Sequence, residues 1–193
     1  MRVLEEDLEL VERRYPLLSE GSRGRARYYV RDSFTRFWFR LVYPNRVLLE
    51  LGLYREVASK LHEASERLAS EAFEEVARQH FALLAKRGCV SFTKVGRWWF
   101  GDVEIDLVAI DERQGAVYFI EVKWSKQPVG REVLRKLERK AEEFPWRRGG
   151  RKDVYVLYSR SGFTFEPEDG VLLFSLADVE RDFERERTLV TEL

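Results

Sequence analysis

Asp106, Glu121 and Lys123 are the side chains of this sequence whose types and spacing could act together chemically. They stand in Val103–Trp124 (VEIDLVAIDERQGAVYFIEVKW), where two apolar runs flank a polar segment, Asp111–Gly115, with the residue types of a hairpin turn. Alternate side chains of an extended strand share a face, so Asp106 goes with Val108 and Ile110, and Glu121 and Lys123 go with Val117 and Phe119. Charges that interrupt covered apolar faces are costly unless they pair with one another or bind a metal ion. Two carboxylates on neighbouring strands can hold Mg²⁺ or Mn²⁺ together with waters and substrate oxygens. Such an ion polarises a phosphodiester and activates a bound water. On this reading Asp106 and Glu121 are metal ligands and the Val122 carbonyl is a further one. Lys123 orients the attacking water or stabilises developing negative charge. Glu74, three and seven residues before Ala77 and Phe81 on an upstream helix, borders the buried side and can complete the site. The alternative is an Asp–Lys or Glu–Lys pair that satisfies only itself.

The elements that must position these groups follow from periodicity. Val3–Arg14 reads as a short helix, and Tyr15–Val30 as a hairpin with a basic, Gly-containing tip at Ser19–Arg25. That is either the second half of a winged helix or an ordinary helix and hairpin. In Arg31–Tyr43, Phe34, Phe37, Trp38, Leu41 and Val42 recur at helical spacing, which predicts a helix with an aromatic core face, capped by Asp32 or Ser33. Base stacking of nucleic acid on those rings is the competing reading. Arg46–Lys60 reads as helical, and Leu61–Arg87 as a long helix ending at Gly88. Cys89–Thr93 and Lys94–Phe100 read as a strand and its extension ahead of the hairpin. A helix at Arg131–Phe144, strands at Asp153–Ser159 and Val171–Phe174 and a helix at Leu176–Arg187 complete the chain. This order predicts an α/β fold, a small mixed sheet flanked by helices.

Composition bounds the rest. The chain has 193 residues, with 34 basic and 34 acidic side chains, so net charge argues neither for nor against a polyanionic partner. The single Cys89 excludes an internal disulfide and a cysteine-based zinc site, and reads as a small core residue. His62 and His80 are the two histidines, and neither lies near a nucleophile elbow. No signal peptide opens the sequence and no apolar run approaches the ~20 residues that span a bilayer, so a soluble cytoplasmic protein without membrane contact is expected. No Gly-x-x-x-x-Gly-Lys-Ser/Thr occurs, which excludes ATP binding by that route.

The order helix–strand–strand–strand–helix–strand with D…E-x-K resembles the PD-(D/E)-x-K, or restriction-endonuclease-like, superfamily. Five blocks resemble more narrowly the C-terminal domain of archaeal DEXX-box ATPases: YYVRDSFTRFWFRLVYPNR at Tyr28–Arg46, FEEVAR at Phe73–Arg78, VGRWW at Val95–Trp99, VEIDLVAID at Val103–Asp111 and IEVKWS at Ile120–Ser125. The resemblance implies an αβββαβ core with the superfamily's metal-site roles for Glu74, Asp106, Glu121 and Lys123. Ile105 stands where the motif has Pro. It also implies a partial winged helix at 1–30, a helical connector at 31–60 and a nuclease-like domain at 61–193.

Two functions follow as expectations. One is a Mg²⁺- or Mn²⁺-dependent DNA endonuclease that holds the backbone through Arg23, Arg25 and Arg27 of the hairpin tip and Arg147, Arg148, Arg151 and Lys152 of a basic loop. The other is a non-catalytic DNA-binding or docking module of an ATPase. A homodimer is a further possibility, and exposure of Trp98, Trp99 and Trp124 would favour a protein interface.

Overall fold

The computed structural model describes residues 3–19 and 26–191. The chain divides into two units, Met1–Glu71 and Ala72–Leu193.

In the first unit a π-helical turn, Val3–Asp7, leads to strand β1 (Val11–Arg14), which pairs antiparallel with β2 (Arg27–Val30). The helix expected over Val3–Arg14 is therefore a helical turn at its start and a strand at its end. Leu4, Leu8 and Val11 have helical spacing, but Glu9 takes a left-handed φ of 49°, which ends the helical run. After β2 the Asp32 carboxylate accepts the Thr35 N–H at 2.5 Å and starts α1 (Ser33–Phe37). A π-helical turn, Trp38–Val42, a 3₁₀ turn, Tyr43–Asn45, and α2 (Arg46–Glu50) follow. The Asn45 side chain holds this bend, donating to the Leu41 carbonyl at 2.8 Å and accepting from Lys60 at 3.2 Å. Gly52, with φ of 74°, separates α2 from α3 (Tyr54–Lys86), so the helix expected over Arg46–Lys60 is broken.

The aromatic stripe of 34–43 is not a core face. Leu41 is buried there, whereas Phe34 is 67% exposed, and Phe37 and Trp38 are also exposed. A π-turn holds more residues than 3.6 per turn, so the sequence spacing no longer maps onto one face after Phe37.

The second unit carries a five-stranded sheet in the order of the chain: β3 (Lys94–Phe100), β4 (Val103–Asp111), β5 (Ala116–Lys123), β6 (Lys152–Ser159) and β7 (Val171–Ser175). The first three are antiparallel and the last three parallel, the crossover from β5 to β6 being α4 (Arg131–Glu142). Helix α5 (Leu176–Thr191) ends the described chain. A small mixed sheet flanked by helices is thus observed. The run Cys89–Thr93 is not a strand, and Cys89 is exposed rather than core.

Both faces of the sheet are covered. Leu107, Ala109, Ile120, Val122, Val156 and Tyr158 cluster with Phe73, Ala77, Phe81 and Leu84 of α3 and Val179 of α5. The opposite face carries Val108, Ile110, Val117 and Phe119, and Phe119 meets Phe144, at the end of α4, edge to face at 5.5 Å. The β4–β5 turn is fixed by Asp111, whose carboxylate accepts the N–H groups of Arg113 at 2.9 Å and Gln114 at 3.0 Å. Trp98 and Trp99 are core residues, and Trp124 packs on Phe73 with ring centroids 5.3 Å apart.

Candidate functional site

The pairing of Leu107 with Ile120 and of Val108 with Phe119 places Asp106 and Glu121 on one face of the sheet, the face that α4 covers. Regular pairing of β4 with β5 ends at Leu107 and Ile120. Just beyond it the Asp106 carboxylate accepts the Val122 N–H at 2.9 Å, so a side chain supplies what the ladder no longer does. Burial, then the neighbouring Glu121 carboxylate, raise the Asp106 pKa to about 6, against the Val122 N–H and the positive charges of Lys123 and Arg97.

Glu121 is 6% exposed and is held by two ammonium groups. Lys123 reaches its Oε1 at 2.6 Å, and Lys140 of α4 reaches Oε1 at 3.1 Å and Oε2 at 2.8 Å. The Glu–Lys pair that stood as the alternative reading is present, Glu121 and Lys123 sharing a face as the alternation predicts, and Lys140 adds a partner the strand pattern does not contain. Glu74 does not join these carboxylates. Its carboxylate pairs with Arg97 of β3, which also lies 3.6 Å from Glu104. Val122 turns its side chain into the cluster under α3, and its N–H is spent on Asp106.

This arrangement corrects the metal-dependent chemistry. Among the described residues, no group of three or more His, Cys, Asp or Glu side chains could hold a metal ion. The expected set of Glu74, Asp106, Glu121 and the Val122 carbonyl is replaced by ion pairs: Glu74 with Arg97, and Glu121 with Lys123 and Lys140. Cations of the chain itself stand where Mg²⁺ or Mn²⁺ was expected. The nuclease, hydrolase and magnesium expectations fall with that site.

The residues expected to hold a nucleic-acid backbone scatter. Arg23 and Arg25 lie outside the described residues, and Arg27 is half-buried in β2 opposite Arg14. Arg147 lies over the Trp146 ring at 4.8 Å, Arg148 donates to the Glu143 carbonyl at 2.6 Å, and Lys152 is exposed at the start of β6. Arg151 is a structural residue, its side chain 5% exposed. Its guanidinium donates to the carbonyls of Ala141, Phe144 and Trp146, at 2.7, 2.8 and 2.7 Å, and to Asp153 at 2.7 Å, tying the end of α4 to β6.

The two partners missed from sequence, Lys140 and Arg97, had weak signals. Lys140 stands between the inward Leu137 and Ala141, and Arg97 falls at the bulge between Gly96 and Trp98.

Residues 38–142 match the family described as Archaea bacterial proteins of unknown function (DUF234), over more than half of the chain. The chain belongs to this family. The matched stretch contains Glu74, Arg97, Asp106, Glu121, Lys123 and Lys140, so the whole ion-pair cluster lies in the family's shared region. An uncharacterized protein of Methanocaldococcus jannaschii is 30% identical to this family member over 89% of the chain. The chain spans 39% of that relative's length. No solved structure matches it. Among the described residues, no helix is long and apolar enough to cross a membrane.

Proposed function

We propose that this chain is a non-catalytic docking module of a larger, ATPase-type protein. The observation that carries the reading is the distribution of exposed apolar surface. Among the described residues, fifteen exposed large apolar side chains belong to Met1–Glu71, from Val3 to Tyr54, and two, Val95 and Phe100, to Ala72–Leu193. Leu51 at 68%, Tyr54 at 66% and Phe34 at 67% are the most exposed of them. Apolar surface on this scale marks interaction sites on soluble domains. Its mixture of Leu and Val with rings suits a protein surface better than a row of bases, which takes aromatics and cations alone.

Three further points support the reading. Two of the three carboxylates on which hydrolysis would have depended, Glu74 and Glu121, are paired with the chain's own cations, and the third, Asp106, accepts the Val122 N–H. The order of α3, three antiparallel strands, α4 and the parallel β6 fits the restriction-endonuclease-like core, here without its metal chemistry. The M. jannaschii relative has ample chain beyond the matched stretch to supply a partner module.

Photo-cross-linking of the intact M. jannaschii relative tests this. Cross-links from its stretch aligned with residues 33–54 into the chain beyond the match support docking. Cross-links confined to solvent-quenched or local products contradict it.

A further inference from the structure

His80 of α3 has no exposed surface, yet imidazole is the side chain that titrates near neutral pH. Its Nδ1 lies 2.9 Å from the Tyr158 hydroxyl of β6 and its Nε2 3.0 Å from the Asp182 carboxylate of α5, so one ring joins three elements. An ionised carboxylate only accepts, so Nε2 donates to Asp182, and Nδ1 of the neutral ring accepts the Tyr158 O–H. Each of these polar groups is then satisfied. A further proton has to sit on Nδ1, which turns it into a donor facing a donor. Tyr158 is as buried as His80, and its hydrogen then loses the Nδ1 acceptor.

The surroundings favour the neutral ring. Phe174 of β7 and Phe183 of α5 stand edge-on to the imidazole at 5.0 Å and 5.9 Å and bring no charge. The charged groups that face it are Asp182 and Asp178 of α5 and Arg87, just past the end of α3. Asp182 would suit an imidazolium, but the Arg87 guanidinium already lies 3.4 Å from that carboxylate and also pairs with Glu186 at 3.2 Å.

Helix α5 is held unevenly along its length. Its start is fixed to the end of β7. The Ser175 N–H and hydroxyl donate to the Asp178 carboxylate at 2.9 Å and 2.6 Å, the Asp178 N–H donates to Ser175 Oγ at 3.2 Å, and Val179 is buried. From Asp182 to Thr188 no side chain is buried. That part is held by partly buried Phe183, by the His80–Asp182 bond, and by Arg87, which donates to the Asp182 carbonyl at 2.7 Å and reaches Glu186.

We propose that His80 is a proton-operated latch on α5: the neutral ring holds the helix closed, and its protonation releases the helix from Asp182 onward and admits water to His80 and Tyr158. The Ser175–Asp178 box and Val179 keep the first turns in place. Burial, ahead of the pull of Asp182, sets the imidazole below its ordinary value in the closed state. Closure is therefore complete above about 6.5 and weakens as pH falls below it.

Amide hydrogen exchange of the whole chain at pH 7.5 and pH 5, corrected for the pH dependence of the exchange chemistry itself, tests this. Exchange in residues 182–188 should rise about 10–30-fold on acidification, the gain open to an imidazole that protonates only in the released state. Residues 154–158 of β6 should not follow. His80→Gln, whose amide can serve both partners without titrating, should remove the rise, and His62→Gln, which alters the other histidine, should leave it. The unaltered protein supplies a second readout that does not depend on a variant folding. At pH 6.5, where a free imidazole is about half protonated, the ring-nitrogen NMR signals of His80 should be those of a neutral ring with its proton on Nε2. Exchange at 182–188 that ignores pH, a rise that survives His80→Gln, or a cationic His80 at pH 6.5 overturns the proposal. So does an equal rise in β6, which would make the event global unfolding.

Discussion

Lys140 of α4 closes on both carboxylate oxygens of Glu121, at 3.1 Å and 2.8 Å, while Lys123 holds one of the same oxygens at 2.6 Å. Glu121 is thereby a carboxylate with two cations, and one of them ties the crossover helix to the strand it covers. Removing one partner of a buried ion pair is costly because the remaining charge stays desolvated. Lys140→Ala should lower stability by roughly 1–3 kcal/mol, less than the loss of a sole partner, because Lys123 remains. Glu121→Gln combined with Lys140→Ala should cost less than the two changes added together. Urea unfolding of the three variants measures this, and additive losses would contradict the pairing.

Asp106 gives a pH dependence of defined sign. Its pKa is raised in the folded chain, so between about 4 and about 6 the folded state holds a proton that the unfolded state releases. Its contribution to stability is greatest at low pH and is lost as pH rises through about 6. Asp106→Asn keeps an acceptor for the Val122 N–H and removes the charge. The variant should be more stable than the unaltered protein at pH 7.5, by up to about 3 kcal/mol, and equal to it near pH 4. Unfolding curves at the two pH values decide; a variant destabilised at pH 7.5 would show that the charged form is the favoured one.

His80 behaves in the opposite sense. Its ring is fully buried, with Nδ1 2.9 Å from the Tyr158 hydroxyl and Nε2 3.0 Å from Asp182 of α5. Burial pushes its pKa down, more than the Asp182 carboxylate pulls it up, with Arg87 also lowering it. The folded chain keeps the imidazole neutral where the unfolded chain would protonate it. The stability it contributes is present above about 6.5 and lost as pH falls below that value. His80→Gln should flatten the fall in melting temperature between pH 7 and pH 5, while costing roughly 1–2 kcal/mol at pH 7 from the altered hydrogen bonds. An unchanged slope would assign the pH dependence to other groups.

How much of this could be read from the sequence depended on which interactions were local. That Asp106 and Glu121 share a face depends on the pairing register of the two strands. Period-two alternation marked β4 and β5 and the faces within each, Asp106 with Val108 and Ile110 and Glu121 with Lys123, because one strand's pleat decides which of its side chains project together. The succession from α3 to α5 was legible for the same reason. Lys140 was not, since its role depends on α4 crossing over β5, a contact between residues 19 apart in the chain. The aromatic spacing of 34–43 misled because burial depends on what packs there, and a π-turn resets the face. Arg151 was misjudged likewise: a cation in a Gly-rich loop reads as solvated, and only the carbonyls at the end of α4 show why it is buried.

The exposed apolar residues of Met1–Glu71 predict a separation between stability and association. Phe39, at 59% exposure, contributes little buried area, so Phe39→Glu should change stability by less than about 0.5 kcal/mol. The same change should reduce binding of a hydrophobic dye. A large loss of melting temperature would mean that Phe39 belongs to the fold rather than to a docking surface.

The most direct measurement is incubation of supercoiled plasmid with the protein and Mg²⁺ or Mn²⁺, alongside the Asp106→Ala and Lys123→Ala variants. With Glu74 paired to Arg97, and Glu121 to Lys123 and Lys140, the plasmid should remain supercoiled in every lane. Metal-dependent nicking by the unaltered protein, lost in both variants, would contradict a non-catalytic module and show that those ion pairs open to admit a metal.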